Sequence, residues 1–306
     1  MVFVAHSNTV LLFCAAAFLP LMGGSSIQPN LSKMRGLPLR LRGGGACMCI
    51  PHRWREMDGE MLNEYLGQAA TLNNIERVRH LVEDMDANVE SVGPSGQTPL
   101  LRASEQGNNN VVHLLLALGA NLTHVDRRGS SALHYAAYNG HTSTIELLIE
   151  KGLDPNEGNK FGYSALQYAA ADGRSETTER LIRLGADVNQ RDKMRWTALH
   201  RAAGNGHGEV VKILVAAGAD AGASGADAQN YTALHEAVWC GHLEACRALI
   251  ESGADPSFAD IYGNTPLDLA TAQARKGRTD LLDLLSSVET LKAAPKVEEG
   301  NTTHGE

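Results

Sequence analysis

The side chains in this sequence most able to do chemistry are histidines and cysteines, and they recur in rows. His134, His200 and His235 form one row, and His141, His207 and His242 a second. A row of imidazoles suggests metal ligation or proton transfer. If row members sit one structural unit apart, they are separated by about 10 Å, a helix-packing distance. Zinc needs its ligands about 2 Å from a common centre. The histidines are therefore expected to be structural. Cys47, Cys49 and His52 lie close together, but no second cysteine pair completes a four-ligand set. Cys240 and Cys246 suit small apolar positions on helices. No Ser/His/Asp arrangement, Gly-rich phosphate loop or pair of acids on one helix face stands out. The expectation is no enzyme, no metal and no cofactor.

The elements that position these residues repeat. The blocks begin at Thr98, Ser131, Ser164, Thr197, Thr232 and Thr265, and the sequences read Thr98-Pro99-Leu100, Ser131-Ala132-Leu133-His134, Ser164-Ala165-Leu166, Thr197-Ala198-Leu199-His200, Thr232-Ala233-Leu234-His235 and Thr265-Pro266-Leu267. Their offsets are 33, 33, 33, 35 and 33. A fixed period in this range marks a stack of supersecondary units. Each Thr or Ser suits an N-cap, and Pro99 and Pro266 suit the first helical position. Leu133, Ala136 and Ala137 share one face of a short helix that Gly140 ends. Ile145, Leu148 and Ile149 line a second helix that stops at Gly152.

The pieces Thr-Ala-Leu-His-x-Ala, Gly-His at Gly140-His141, Gly206-His207 and Gly241-His242, and Gly-Ala-Asp at Gly185-Ala186-Asp187, Gly218-Ala219-Asp220 and Gly253-Ala254-Asp255 resemble the ankyrin family over residues 62–285. The resemblance implies an all-α solenoid of stacked helix–turn–helix units with hairpin fingers projecting to one side. It also implies that the histidines bond backbone or Thr oxygens between repeats, and it adds no catalysis. Five clear repeats begin near 98, 131, 164, 197 and 232. A divergent cap at the amino end holds Ala69-Ala70 and a helix over Ile75–Glu83. The cap at the carboxyl end has Asp268 where His is usual.

Some units depart from the pattern. Arg195 and Asn230 stand where a hairpin Gly is usual. Thr177, Thr178 and Arg180 replace the Val111, Val112 and Leu114 of the first full unit, so the second helix of the third unit should exchange its amides fastest. The stretch Ala221–Asn230 should form a longer finger.

The chain has 306 residues and a net charge of -8. Residues 1–55 carry Lys33, Arg35, Arg40, Arg42, Arg53 and Arg55 with no acid, leaving -14 on the remainder. An acidic body does not suit a phosphate backbone, so no nucleic-acid partner is expected. Residues 1–22 hold a signal-like apolar run, Val10 to Met22, and 23–58 a basic, acid-free, transit-like leader expected to be disordered. The junction Ala15-Ala16-Ala17-Phe18-Leu19-Pro20 resembles the bipartite leaders of algae with complex plastids. A plain secretory signal, a wrongly assigned start and a cytoplasmic protein remain alternatives. Leu39-Arg40-Leu41-Arg42-Gly43-Gly44 matches the tail of ubiquitin by coincidence. The repeat domain spans 59–287, and 288–306 reads as a disordered tail. Sequons at Asn121, Asn230 and Asn301 matter only in a secretory lumen.

The binding surface is read from the variable positions of fingers and first helices. These are Arg127, Arg128, Tyr135, Tyr138, Lys160, Phe161, Tyr163, Tyr168, Lys193, Met194, Trp196, Arg201, Tyr231, Trp239 and Tyr262. Of the eleven aromatics in the repeat region, all but Tyr65 and Phe258 fall there. Tyr, Trp and Arg are enriched at interface hot spots. The expectation is a non-enzymatic scaffold or adaptor that binds a partly acidic, partly apolar protein. The second possibility is a regulatory, substrate-docking or targeting subunit of an enzyme or membrane-protein sorting complex. A third is that the rings merely pack between fingers and stiffen the array. No small-molecule substrate and no membrane span after leader removal are expected, and the protein reads as a monomer.

Overall fold

Thr98, Ser131, Ser164, Thr197, Thr232 and Thr265 all hold extended backbone and cap a short helix. A hydroxyl or carboxylate oxygen there satisfies amides that the first turn leaves without partners. The computed structural model describes residues 59–225, 230–275 and 277–293, with side chains through 287. The leader readings over 1–22 and 23–58, residues 226–229 of the stretch expected to form a longer finger and everything beyond 293 lie outside the described residues.

Among the described residues, seven helix pairs follow one another. They are α1 (Gly59–Thr71) with α2 (Ile75–Arg79), α3 (Pro99–Glu105) with α4 (Asn109–Ala117), and α5 (Ala132–Asn139) with α6 (Thr142–Glu150). Next come α7 (Ala165–Ala171) with α8 (Ser175–Arg183), α9 (Ala198–Gly204) with α10 (Gly208–Ala216), and α11 (Ala233–Cys240) with α12 (Leu243–Glu251). The last pair is α13 (Pro266–Ala274) with α14 (Asp280–Ala293). First helices stack on first helices in chain order, and second helices on second helices. Among the described residues there is no strand, only one antiparallel bridge between Ser224 and Thr232.

Two details differ from expectation. The helix expected over Ile75–Glu83 changes at His80, where His80–Asp84 winds as a π-helix and His80 Nδ1 meets Asp84 Oδ2 at 2.7 Å. Helix α14 continues to Ala293, past the boundary expected at 287.

The core is a row of small and branched side chains. Leu133, Ala136 and Ala137 are buried in α5, as Leu199, Ala202 and Ala203 are in α9. Alanine lets the first helices approach closely, and the second helices add Val111, Ile145, Leu181, Val211 and Leu249. In α8 the equivalents of Val111 and Val112 are Thr177 and Thr178, both buried. Thr177 Oγ1 bonds Thr142 Oγ1 at 3.2 Å, whereas Thr178 Oγ1 has no hydrogen-bond partner among the described residues.

Both histidine rows tie one repeat to the next. In the first, the N-cap amides of Ser131, Thr197 and Thr232 donate to Nδ1 of His134, His200 and His235 at 3.1, 3.3 and 3.2 Å. An Nδ1 that accepts places the proton on Nε2. Nε2 then donates to the carbonyls of Tyr163, Tyr231 and Asn264 in the following finger at 2.8, 3.2 and 3.3 Å. Gln167 fills this place in the third unit: its Oε1 accepts from Ser164 N–H at 3.0 Å and its Nε2 donates to Trp196 O at 2.7 Å. Asp268 fills it in the last unit. It only accepts, from Thr265 N–H and Oγ1–H at 2.8 Å each.

The second row sits at helix C-termini, where carbonyls lack partners. His141 Nε2 reaches Glu105 O at 3.0 Å and His207 Nε2 reaches Ala171 O at 3.1 Å. Arg174 takes the same role toward Tyr138 O at 3.2 Å, and Asn108 toward Ala70 O at 2.8 Å. Glycines that end first helices make room for these donors. A Cβ on Gly107, Gly173 or Gly206 would fall 2.6, 2.5 or 2.6 Å from the ring of His141, His207 or His242, and all three glycines hold positive φ.

Candidate functional site

Four fingers begin with a buried Asp or Asn, at Asp126, Asn159, Asp192 and Asp260. The Oδ1 of Asp126 accepts from Arg128 N–H at 2.8 Å and Ser130 N–H at 2.7 Å. Asn159 does the same for Phe161 and Tyr163, and Asp192 for Met194 and Trp196. A short polar side chain that closes on its own backbone shapes the turn locally. The other terminal atom of these three side chains reaches the first helix nine residues on. Tyr135 hydroxyl donates to Asp126 Oδ2 at 2.8 Å, Asn159 Nδ2 donates to Tyr168 hydroxyl at 3.0 Å, and Arg201 Nη2 donates to Asp192 Oδ2 at 2.5 Å.

These pins correct the expected surface. Arg201 is only 5% exposed and is not a surface cation. Its guanidinium lies between the Tyr163 ring (4.6 Å to the centroid) and the Trp196 ring (4.5 Å), with its charge met by Asp192. A desolvated cation needs that pairing. Tyr231 is 8% exposed and stacks on His235 with centroids 5.2 Å apart. Tyr135, Tyr138, Tyr163, Tyr168, Trp196 and Trp239 are half-buried, and so is Arg128. Tyr168 receives the edges of its neighbours: Tyr138 at 6.2 Å, Tyr163 at 5.9 Å and His134 at 5.6 Å, all near perpendicular. Most of the rings therefore pack against neighbours within the array and are only part-exposed.

The residues that stand out are at the finger tips. Phe161 is 49% exposed, Met194 39% and Tyr262 69%, beside exposed Arg127, Lys160 and Lys193. Val92, Val125 and Ile261 are exposed as well and were not expected as contacts. Arg195 is an exposed cation, also unexpected as a contact, and holds φ 60°; Asn230 holds φ 56°. Both occupy the left-handed region that the usual glycine would enter freely.

Burial sets the protonation of the site. It lowers the pKa of His134, His235 and His242 below the ordinary imidazole value and takes His200 to about 4, with Arg201 and Arg191 adding repulsion. Burial and the Asp126 carboxylate push the Tyr135 phenol up. Burial raises the Cys246 thiol to about 12, far from a nucleophile's range. Among the described residues no group of three or more His, Cys, Asp or Glu is placed to hold a metal ion. No helix among them is long and apolar enough to cross a membrane.

A family model described as ankyrin repeats (3 copies) matches the chain three times, over residues 66–159, 152–225 and 218–292. The helix pairs, capping residues and projecting turns are those of that class, and the chain belongs to the ankyrin-repeat family. Its members are generally protein–protein interaction modules and are typically not enzymes. No curated protein matches the chain.

Proposed function

We propose that the protein is a scaffold or adaptor that binds a partly acidic, partly apolar protein along its fingers and first helices. The observation that carries this is the pairing of apolar and cationic side chains at the tips: Phe161 beside Lys160, and Met194 beside Lys193. An exposed ring next to an exposed cation fits a partner with both characters, and complementary charge sets its orientation. The half-buried Tyr138, Tyr163, Tyr168 and Trp196 behind the tips form a pre-organised floor, held by edge-to-face contacts and the Arg201 stack. Binding to a rigid surface avoids part of the ordering penalty.

The test uses a photo-activatable phenylalanine analogue placed at Phe161, or at exposed Glu179 on α8, in cells of the source organism. The expected result is one reproducible protein adduct from position 161 and none from position 179. Adducts from position 179 alone would reject the finger surface.

A further inference from the structure

The exposed cations and apolar side chains of three consecutive fingers belong to one continuous edge. The tips are joined backbone to backbone: Lys160 N–H donates to Arg128 O at 3.0 Å, and Lys193 N–H donates to Phe161 O at 3.0 Å. Lys160 Nζ also reaches Arg127 O at 2.9 Å. The approach is close enough that a Cβ on Gly129 would lie 2.8 Å from Lys160 N, and one on Gly162 2.9 Å from Lys193 N. The edge is therefore a fixed row, not a set of independent loops.

Among the described residues, no ion pair engages Arg127, Lys160, Lys193 or Arg195. The carboxylates beneath, Asp126 and Asp192, are buried and taken by Tyr135 and Arg201. Arg195 adds a second signal. It stands where the two preceding fingers have Gly129 and Gly162, and it holds a left-handed backbone that a β-carbon disfavours. A long cation kept in a strained backbone position suggests a use for the cation.

We infer that this edge seats an extended acidic segment of the protein partner, with carboxylates at every third residue and a large apolar side chain between them. The inference rests on the binding role proposed above and adds its register. Successive fingers repeat at about 10 Å, the packing distance of the helices that carry them. A polyproline-II segment rises about 3.1 Å per residue with three residues per turn, so every third side chain faces the same way about 9 Å apart. Carboxylates so spaced meet Arg127, Lys160 and Lys193 with Arg195 in turn, and the intervening apolar side chain rests on Phe161 or Met194. The segment spans about two finger intervals, roughly seven residues.

The experiment measures fluorescence anisotropy of labelled peptides against the full chain. One peptide is Glu-Pro-Phe-Glu-Pro-Leu-Glu-Pro-Phe-Glu. A second has the same composition with its four Glu contiguous, and a third has Lys for Glu. The spaced peptide should bind at least tenfold tighter than the clustered one, and the Lys peptide should not bind. Lys193→Glu with Arg195→Glu should weaken the spaced peptide at least tenfold, with circular dichroism and unfolding temperature confirming an intact fold. Phe161→Ser should weaken it less and leave the salt dependence unchanged. Equal binding of spaced and clustered peptides overturns the register, as does indifference to the charge reversal. Binding to vesicles of anionic lipid without preference among peptides overturns it too, and assigns the edge to a membrane surface. If the adduct from position 161 forms while spaced and clustered peptides bind alike, the binding role survives and only the register fails.

Discussion

The neutral imidazole is the residue-scale device that holds the repeats in line. His200 accepts at Nδ1 and donates at Nε2, so a second proton would set two donors, Nδ1–H and Thr197 N–H, against each other. Its folded pKa, about 4, lies below the unfolded value of 6.5. The unfolded chain therefore takes the proton first, and stability present above about 6.5 is lost as pH falls toward 4. The shift corresponds to a penalty on the order of 3 kcal/mol for His200 alone. His134 and His235 are shifted the same way and add to it. His200→Gln tests the device, because Gln167 already makes the same two bonds in the third unit. The variant should fold, and denaturant titrations should show a shallower loss of stability between pH 6.5 and 4 than for the wild type. An unchanged slope would remove His200 from the account. Arg195 yields a second residue-scale prediction. Arg195→Gly relieves the positive φ and should stabilise the fold by about 0.5–1 kcal/mol after the entropy of the added glycine is counted.

At the scale of the helix pair, the turn between helices is built around the next repeat's donor. Gly173 and Gly185 both hold positive φ, but only Gly173 has a neighbour, the His207 ring, where a Cβ would go. Gly173→Ala should therefore destabilise more than Gly185→Ala, by about 1 kcal/mol or more, as read from chemical denaturation. Helix α8 should exchange its amides fastest among the second helices of the five full repeats, since Thr177 and Thr178 replace valines and Thr178 Oγ1 is buried without a partner among the described residues. Equal protection of α4, α6, α8, α10 and α12 in hydrogen exchange would contradict this. Elements of this kind are legible in sequence because capping and termination are local: Ser131 with His134, and Gly140 after Asn139, sit within a few residues of one another. The binding surface is less legible. Tyr135, Tyr168 and Arg201 look like free contact residues until the turn brings Asp126, Asn159 and Asp192 back against them from nine residues away. The recurring Asp or Asn nine positions before a polar or aromatic residue was the available signal. Exposure of Phe161 and Met194 has no such signature, because it depends on where the tip leaves the stack.

At the scale of the whole molecule, the stacked pairs present one row of finger tips, with cations and apolar groups concentrated on the second to fourth full repeats. The row is rigid because the three fingers that enter these repeats are pinned to their own first helices and hydrogen-bonded tip to tip. Contacts made by such a surface should separate cleanly from stability, since the exposed tips contribute little burial. The most direct measurement is the affinity of the partner captured from position 161 for the double variant Phe161→Ala, Met194→Ala, alongside its unfolding free energy. Binding should weaken by about 2 kcal/mol or more, the scale of an interface hot spot, while unfolding free energy moves by less than about 0.5 kcal/mol. An unchanged affinity, or a loss of stability equal to the loss of binding, would contradict the assignment of the finger tips as the contact surface.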